Sequence, residues 1–262
     1  MISEYHRPSS LEEALKLLSQ PNTHPLGGGT VLTQKSDESF AVVDLQALGL
    51  DKLRKSGEKL EIGASATLSL LLKNPHIPPA LAETLRLETP LNLRNAGTVA
   101  GTLVACDGRS PFATAMLALD AILILAPNNE QLTLGNYLPL RVGANDTRPG
   151  DAHLEERRSP LQGKLITKIE IPLNAKLAFE TVARTPVDRP IVCAALTQWP
   201  SGRTRLALGG WGQAPTLAMD GNEDSGVEAA ASNAAAEASD EWASAEYRRE
   251  IAAVLAKRCL EK

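Results

Sequence analysis

Three consecutive glycines, Gly27-Gly28-Gly29, stand between Pro25-Leu26 and Thr30 and constrain the chain more than any other feature. Lacking Cβ atoms, such a run reads as a backbone turn rather than a strand or helix interior, and it admits close approach by other groups. Upstream, Leu11, Ala14, Leu15 and Leu18 recur at i, i+3, i+4 and i+7, with Ser10 and Glu13 spaced as a capping box and Pro21 as the stop. This predicts a helix. Downstream, Val42, Val43 and Leu45 predict a short strand, so the turn sits in a unit of β-α-β character.

From Gly57 the pattern changes. Leu60, Ile62 and Ala64 alternate with Glu61 and Gly63 as a strand, and residues 68–72 and 80–88 read as helices. Residues 92–102 are small and irregular, unsuited to a long helix. Ser110-Pro111 is a helix start, serine as N-cap and proline at the first helical position, and residues 122–125 follow as a buried strand. Residues 128–163, with Asn128-Asn129 and Arg148-Pro149-Gly150, read as long connections. Thr167, Ile169 and Ile171 then share one strand face against Lys168 and Glu170 on the other. Strands are expected at residues 179–183, 191–198 and 205–208, with Pro200-Ser201-Gly202 turning a hairpin. The tail is helical, an alanine-rich run at 227–238 preceding a helix striped by Tyr247, Ile251, Val254, Leu255 and Cys259. Three units are expected, at residues 1–56, 57–173 and 174–262.

Composition narrows the function classes. With 43% hydrophobic and 22% charged residues over 262 positions, the balance is that of a globular chain. Its 27 basic and 31 acidic side chains give a net charge of -4 without a long run of one sign, so no nucleic-acid partner is expected. No apolar run approaches the roughly 20 residues of a membrane span, and the first residues lack the basic-then-apolar order of a signal peptide, so a cytoplasmic chain without membrane insertion is expected. Cys106, Cys193 and Cys259 form no CxxC, and His6, His24, His76 and His153 form no HExxH, so no metal site is expected. No acid-base dyad or nucleophile triad is evident, and no catalytic residue is assigned.

The chemistry lies in two loops. Backbone N–H groups of Gly27, Gly28 and Gly29, with the Thr30 hydroxyl, suit a phosphate, although the run is neither a Walker A motif nor GxGxxG and an isolated glycine turn is often purely structural. The loop Thr98-Val99-Ala100-Gly101-Thr102 is similar, with Asp107 and Ser110 just beyond it. Together the two loops are suited to clamp one pyrophosphate. Asp107, Arg109 and Asp188 are polar candidates whose plain reading is surface ion pairing. The charged cluster Glu155-Glu156-Arg157-Arg158 reads as a solvated loop.

At these loops the sequence resembles the FAD-binding medium subunit of molybdenum hydroxylases, the carbon monoxide dehydrogenase and xanthine dehydrogenase family of molybdopterin dehydrogenases. The likeness spans nearly the whole chain. It is carried by Tyr5-His6-Arg7-Pro8-Ser9-Ser10-Leu11-Glu12-Glu13-Ala14, by residues 26–32, by Leu60-Glu61-Ile62-Gly63-Ala64, by Arg94-Asn95-Ala96-Gly97-Thr98-Val99-Ala100-Gly101 and by Ser244-Ala245-Glu246-Tyr247-Arg248-Arg249. The resemblance implies an α+β fold, a two-subdomain FAD-binding fold of the vanillyl-alcohol-oxidase/PCMH type followed by a C-terminal α+β domain. It implies an extended FAD, its pyrophosphate held by backbone N–H groups of both loops. Implied cofactor contacts are Gly27, Gly28, Gly29, Thr30, Val31, Thr98, Ala100, Gly101, Thr102, Asp107 and Ser110, with Asp188 in a segment bordering the flavin ring. Implied partners are an iron-sulfur small subunit and a molybdopterin large subunit, and the implied function is electron transfer from iron-sulfur centres through flavin to an acceptor.

The chain departs from the family pattern at Val31, Ala100, Thr102 and Pro111. These departures motivate an alternative, an FAD-free scaffolding subunit of the same kind of complex. A third reading is a stand-alone binder of another phosphate-bearing ligand. Aromatic residues make up 3% of the chain, leaving few rings to stack on a flavin.

Overall fold

The computed structural model describes residues 1–33, 39–145, 161 and 163–262. Near the N-terminus, β1 (Ile2–His6), α1 (Leu11–Leu18), β2 (Thr23–Leu26) and β3 (Phe40–Asp44) form a parallel three-stranded sheet of order β1-β3-β2 with one crossover helix. Ala14 and Leu18 of α1 are buried in one cluster with Val43, Leu45 and Leu165. Ser10 Oγ accepts from the Glu13 N–H at 3.2 Å, while the Glu13 carboxylate returns to the N–H of Ser9 rather than Ser10. The return arm of the capping box is thus shifted one residue upstream.

The second sheet is antiparallel, of order β4-β5-β8-β6-β7, from β4 (Leu53–Ser56), β5 (Lys59–Gly63), β6 (Ile122–Ala126), β7 (Glu130–Thr133) and β8 (Leu165–Pro172). Leu60, Ile62, Leu123, Leu125, Ile169 and Ile171 are buried in the main core. The opposite face is ionic, with Lys168 between Glu61 at 3.2 Å and Glu170 at 2.8 Å. Between β5 and β6 run α2 (Leu68–Leu72), α3 (Pro79–Glu88), α4 (Leu91–Ala96), α5 (Val99–Ala105) and α6 (Pro111–Ala118), and α7 (Leu134–Asn145) follows β7.

The third sheet, order β12-β11-β10-β9, is an antiparallel meander of β9 (Lys176–Val182), β10 (Val192–Gln198), β11 (Thr204–Gly209) and β12 (Thr216–Gly221), followed by α8 (Val227–Ala234) and α9 (Ala245–Glu261). Its central strands are covered on both faces. Ala194, Leu196, Leu206 and Leu208 share a cluster with α8 and α9, while Phe179, Cys193, Ala195 and Ala207 join the main core with α6. Continuous burial explains why β10 reads as an apolar run rather than an alternation.

Several expectations need correction. Residues 92–102 are not irregular: α4 and α5 occupy most of them, broken where Gly97 and Thr98 turn extended. Residues 128–163 contain β7 and α7, while Arg148-Pro149-Gly150 and the 155–158 cluster lie outside the described residues. Strands β1 and β12 were not expected. In α9, Tyr247 and Val254 are 40% and 44% exposed, and the buried face is Arg248, Ala252, Leu255, Ala256 and Cys259. The stripe is displaced because a fully buried Arg248 belongs to it, bonded to Asp240 at 2.8 and 2.9 Å and to carbonyls of Ala238 and Ile191.

Candidate cofactor-binding site

The C-terminal ends of parallel strands leave unpaired backbone groups at one sheet edge, the usual place for a ligand in such sheets. Leu26 and Asp44 end β2 and β3 side by side there. The chain leaves β2 directly into Gly27-Gly28-Gly29, with Gly29 at φ 68°, a left-handed conformation that glycine adopts freely.

Against this turn lies the α4–α5 junction, itself zipped to the β5–α2 connection. Leu68 N–H donates to Gly97 O (3.0 Å), Val99 N–H to Ala66 O (2.8 Å) and Ala100 N–H to Ala64 O (3.2 Å), with Thr67 facing Thr98. The glycines are demanded by the contact between the loops. A Cβ on Gly28 would lie 1.8 Å from Ala96 O, and one on Gly27 would lie 2.6 Å from Thr98 Oγ1. The resulting cleft has a volume of about 570 Å³; among the described residues no lysine or arginine lines it, and Arg7 approaches the lining Asp44 at 3.7 Å.

An anion there would depend on backbone donors. The N–H groups of Gly27, Gly28 and Gly29 donate to no acceptor among the described residues, and neither does that of Thr98. The rest of the second loop is engaged: Gly101 N–H donates to Thr98 Oγ1 (3.2 Å), and Thr102 gives both its N–H and its hydroxyl to Thr98 O. Ala100 is buried in the core. Of the second loop, then, only Thr98 joins the cleft lining, while Ala100, Gly101 and Thr102 hold the loop in shape. Thr30 and Val31 continue the first turn, Val31 half exposed.

One wall of the cleft carries Tyr5, Asp44 and Gln46 from the first sheet, the other Asp51, Ser65, Thr67, Leu70 and Asn95, with Asp51 held beside Ser65 by the bond from Ser65 N–H to Leu50 O (2.8 Å). Buried Asp44 accepts the Tyr5 hydroxyl and the Gln46 N–H (2.9 Å). That bond pushes the Tyr5 hydroxyl above its ordinary pKa. Ser65 Oγ is buried without a hydrogen-bond partner among the described residues, a state that a bound polar group or water would relieve. Unengaged N–H groups across from a hydroxyl-lined wall fit a pyrophosphate-bearing cofactor such as FAD. Composition did not single out these wall residues; only Tyr5 and Asn95 lay in the motifs that carry the resemblance.

Asp107, Ser110 and Asp188 do not line this cleft. Arg189 grips Asp107 with both terminal nitrogens, one contact at 2.8 Å, and the Arg109 N–H adds a bond at 2.8 Å. Burial opposes ionisation of Asp107, but these donors outweigh it and hold the carboxyl below its ordinary range. Arg109 donates to the carbonyls of Arg189 and Pro190 and stacks on Trp242, which Arg184 also contacts. Ser110 is buried as the N-cap of α6, accepting from Ala113 N–H and donating to Glu88, while Asp188 is exposed on the β9–β10 loop. Burial raises the Glu88 carboxyl, against the Phe112 N–H and the Ser110 hydroxyl. A second cleft of about 530 Å³, on the ionic face of the second sheet, contains none of the sequence candidates. Among the described residues no cluster of three potential metal ligands occurs, and no helix is long and apolar enough to cross a membrane.

The chain is similar over its length to known proteins. YgfM of Escherichia coli (strain K12), an uncharacterized protein, is 29% identical over 97% of this chain and 94% of its own. The glyceraldehyde dehydrogenase medium chain of Sulfolobus acidocaldarius is 27% identical over 98% and 97%. A chain of the reconstituted CO dehydrogenase from Oligotropha carboxidovorans superposes with a TM-score of 0.77 at 25% identity, covering 98% of this chain and 96% of that one. Residues 1–174 match the family described as the FAD binding domain in molybdopterin dehydrogenase, and the chain belongs to that family.

Proposed function

We propose that this chain is the flavin-carrying medium subunit of a molybdenum hydroxylase, an oxidoreductase subunit that passes electrons from iron-sulfur centres through FAD to an acceptor. Substrate oxidation falls to a molybdopterin large subunit and the relay to an iron-sulfur small subunit. The observation that carries this reading is the row of unengaged N–H groups at Gly27, Gly28 and Gly29 across from Thr98. The medium-chain relative and the CO dehydrogenase likeness support membership in such a complex. Bound FAD supplies the redox chemistry, and the chain supplies position and electrostatics. The three sheets support division into units at residues 1–56, 57–173 and 174–262, with β4 pairing in the second sheet although it precedes the first boundary.

Of the four departures from the family pattern, those at Ala100, Thr102 and Pro111 do not favour the scaffold reading. The Ala100 methyl lies in the core, the Thr102 hydroxyl is bonded to Thr98 O, and Pro111 is the first residue of α6. None of the three lines the cleft. The test is a visible spectrum of the purified chain before and after incubation with FAD and gel filtration. Retained flavin absorbance supports the proposal; a folded, colourless chain, alone and in complex with its partners, rejects it in favour of the scaffold.

A further inference from the structure

We infer that the second cleft, on the ionic face of the second sheet, is a binding site for a small organic oxyanion whose carboxylate or phosphate group is held by Lys52 and Arg54. The inference does not depend on the FAD reading. Register builds the cleft. Gly63, Lys168, Ile124 and Gln131 stand directly opposite one another across β5, β8, β6 and β7, a row three strand spacings or about 14 Å long. Gly63 leaves its end of the row bare, and the connection before β4 closes over it. A Cβ on Gly63 would lie 2.3 Å from Leu50 O, and the Gly63 N–H donates to Lys52 O at 2.8 Å. That bond fixes the backbone of Lys52 at the wall. Arg54, two residues on and opposite Glu61, shares its face by strand alternation.

Charge then sets the class of ligand. Both lining carboxylates are satisfied within the face, since Lys168 takes Glu61 and Glu170, and Lys59 adds a contact to Glu170 at 3.2 Å. Lys52 and Arg54 have no ion pair or side-chain hydrogen bond among the described residues. The lining thus carries three cations against two carboxylates, on a chain whose net charge is -4. An ammonium and a guanidinium two residues apart can converge on one oxyanion, and charge-assisted bonds are the strong ones. Toward the other end of the row, the exposed carboxamides of Asn129 and Gln131 offer donors and acceptors to the polar remainder of an organic anion. A volume of about 530 Å³ is that of a small-molecule pocket.

The test is calorimetric titration of the full chain with citrate and with inorganic phosphate at constant ionic strength, repeated on Lys52→Ala, Arg54→Ala and Lys55→Ala. Saturable binding of at least one anion is expected; citrate without phosphate identifies a carboxylate ligand, and the reverse a phosphate ligand. Lys52→Ala and Arg54→Ala are each expected to weaken binding about fivefold, the upper range for an exposed ion pair. Lys55, on the same strand, is not part of the lining, and Lys55→Ala is expected to change binding by less than about twofold. All three side chains are exposed, so the variants leave the core untouched. The inference is overturned if neither anion binds saturably up to about 10 mM, or if Lys52→Ala and Arg54→Ala leave binding unchanged. Equal weakening by Lys55→Ala also overturns it, because the attraction would then be to diffuse surface charge.

Discussion

Gly28 has no room for a methyl group, because its Cβ position lies against Ala96 O, a backbone atom that cannot rotate away. Gly28→Ala therefore forces the two loops apart; an overpacking penalty of about 2 kcal/mol is expected, together with loss of FAD retention, checked by denaturant unfolding and by flavin absorbance. The glycine run was legible as a turn from composition alone. Its reason was not, because the obstructing carbonyl comes from another loop far along the chain. Arg248 shows the same limit in another form, since an arginine in a helix sequence gives no local sign that it will be wholly buried. Removing its partner leaves the buried Arg248 charge with carbonyl acceptors only, and because Asp240 is itself exposed to solvent, Asp240→Asn is expected to destabilise the fold by about 1 to 2 kcal/mol near neutral pH. Burial opposes ionisation of Asp240, but Arg248 and the N–H groups of Trp242 and Ala243 hold its pKa below the ordinary value. With the folded pKa depressed, this contribution is present above the ordinary carboxylate pKa of about 4 and is lost as pH falls through the folded value. Urea unfolding across that window should show Asp240→Asn converging on the unchanged protein at the acid end.

Among the elements, α6 is the one whose limits were written most clearly, with Ser110 and Pro111 at its start. All eight of its residues are buried, and its first turn is closed by Ser110 and by Glu88 from α3. Ser110→Ala removes the cap and one donor to the Glu88 carboxylate, and a loss of about 1 to 2 kcal/mol is expected in thermal or denaturant unfolding. Helices with caps and strands with one buried face, such as α1, α2 and β8, announced themselves locally. By contrast, β1 and β12 are largely exposed edge strands with no alternation to detect, and they form through backbone pairing with neighbours. The break between α4 and α5 was legible as irregularity, but the helices on either side were hidden by small residues whose tertiary contacts decide their state.

For the molecule as a whole, the main core does not end where the family match ends. Phe179, Cys193, Ala195 and Ala207 of the third sheet share it with α6 and the second sheet. Deleting residues 175–262 would expose that side of α6, so the remaining 1–174 fragment is expected to be insoluble or to lack a cooperative transition, whereas the full chain unfolds in one. Calorimetry of both chains checks this, and two independent transitions in the full chain would contradict it. The cleft, too, is a property of the assembly. Its two rims belong to connections from different sheets, and they meet closely, Gly28 against the Ala96 carbonyl and Gly27 against the Thr98 side chain. A hinge opening of an ångström or two would thus act on every donor in the row at once. Colour in this protein should accordingly serve as a gauge of closure: on warming, flavin should escape as the seam parts, before the sheets themselves dissolve.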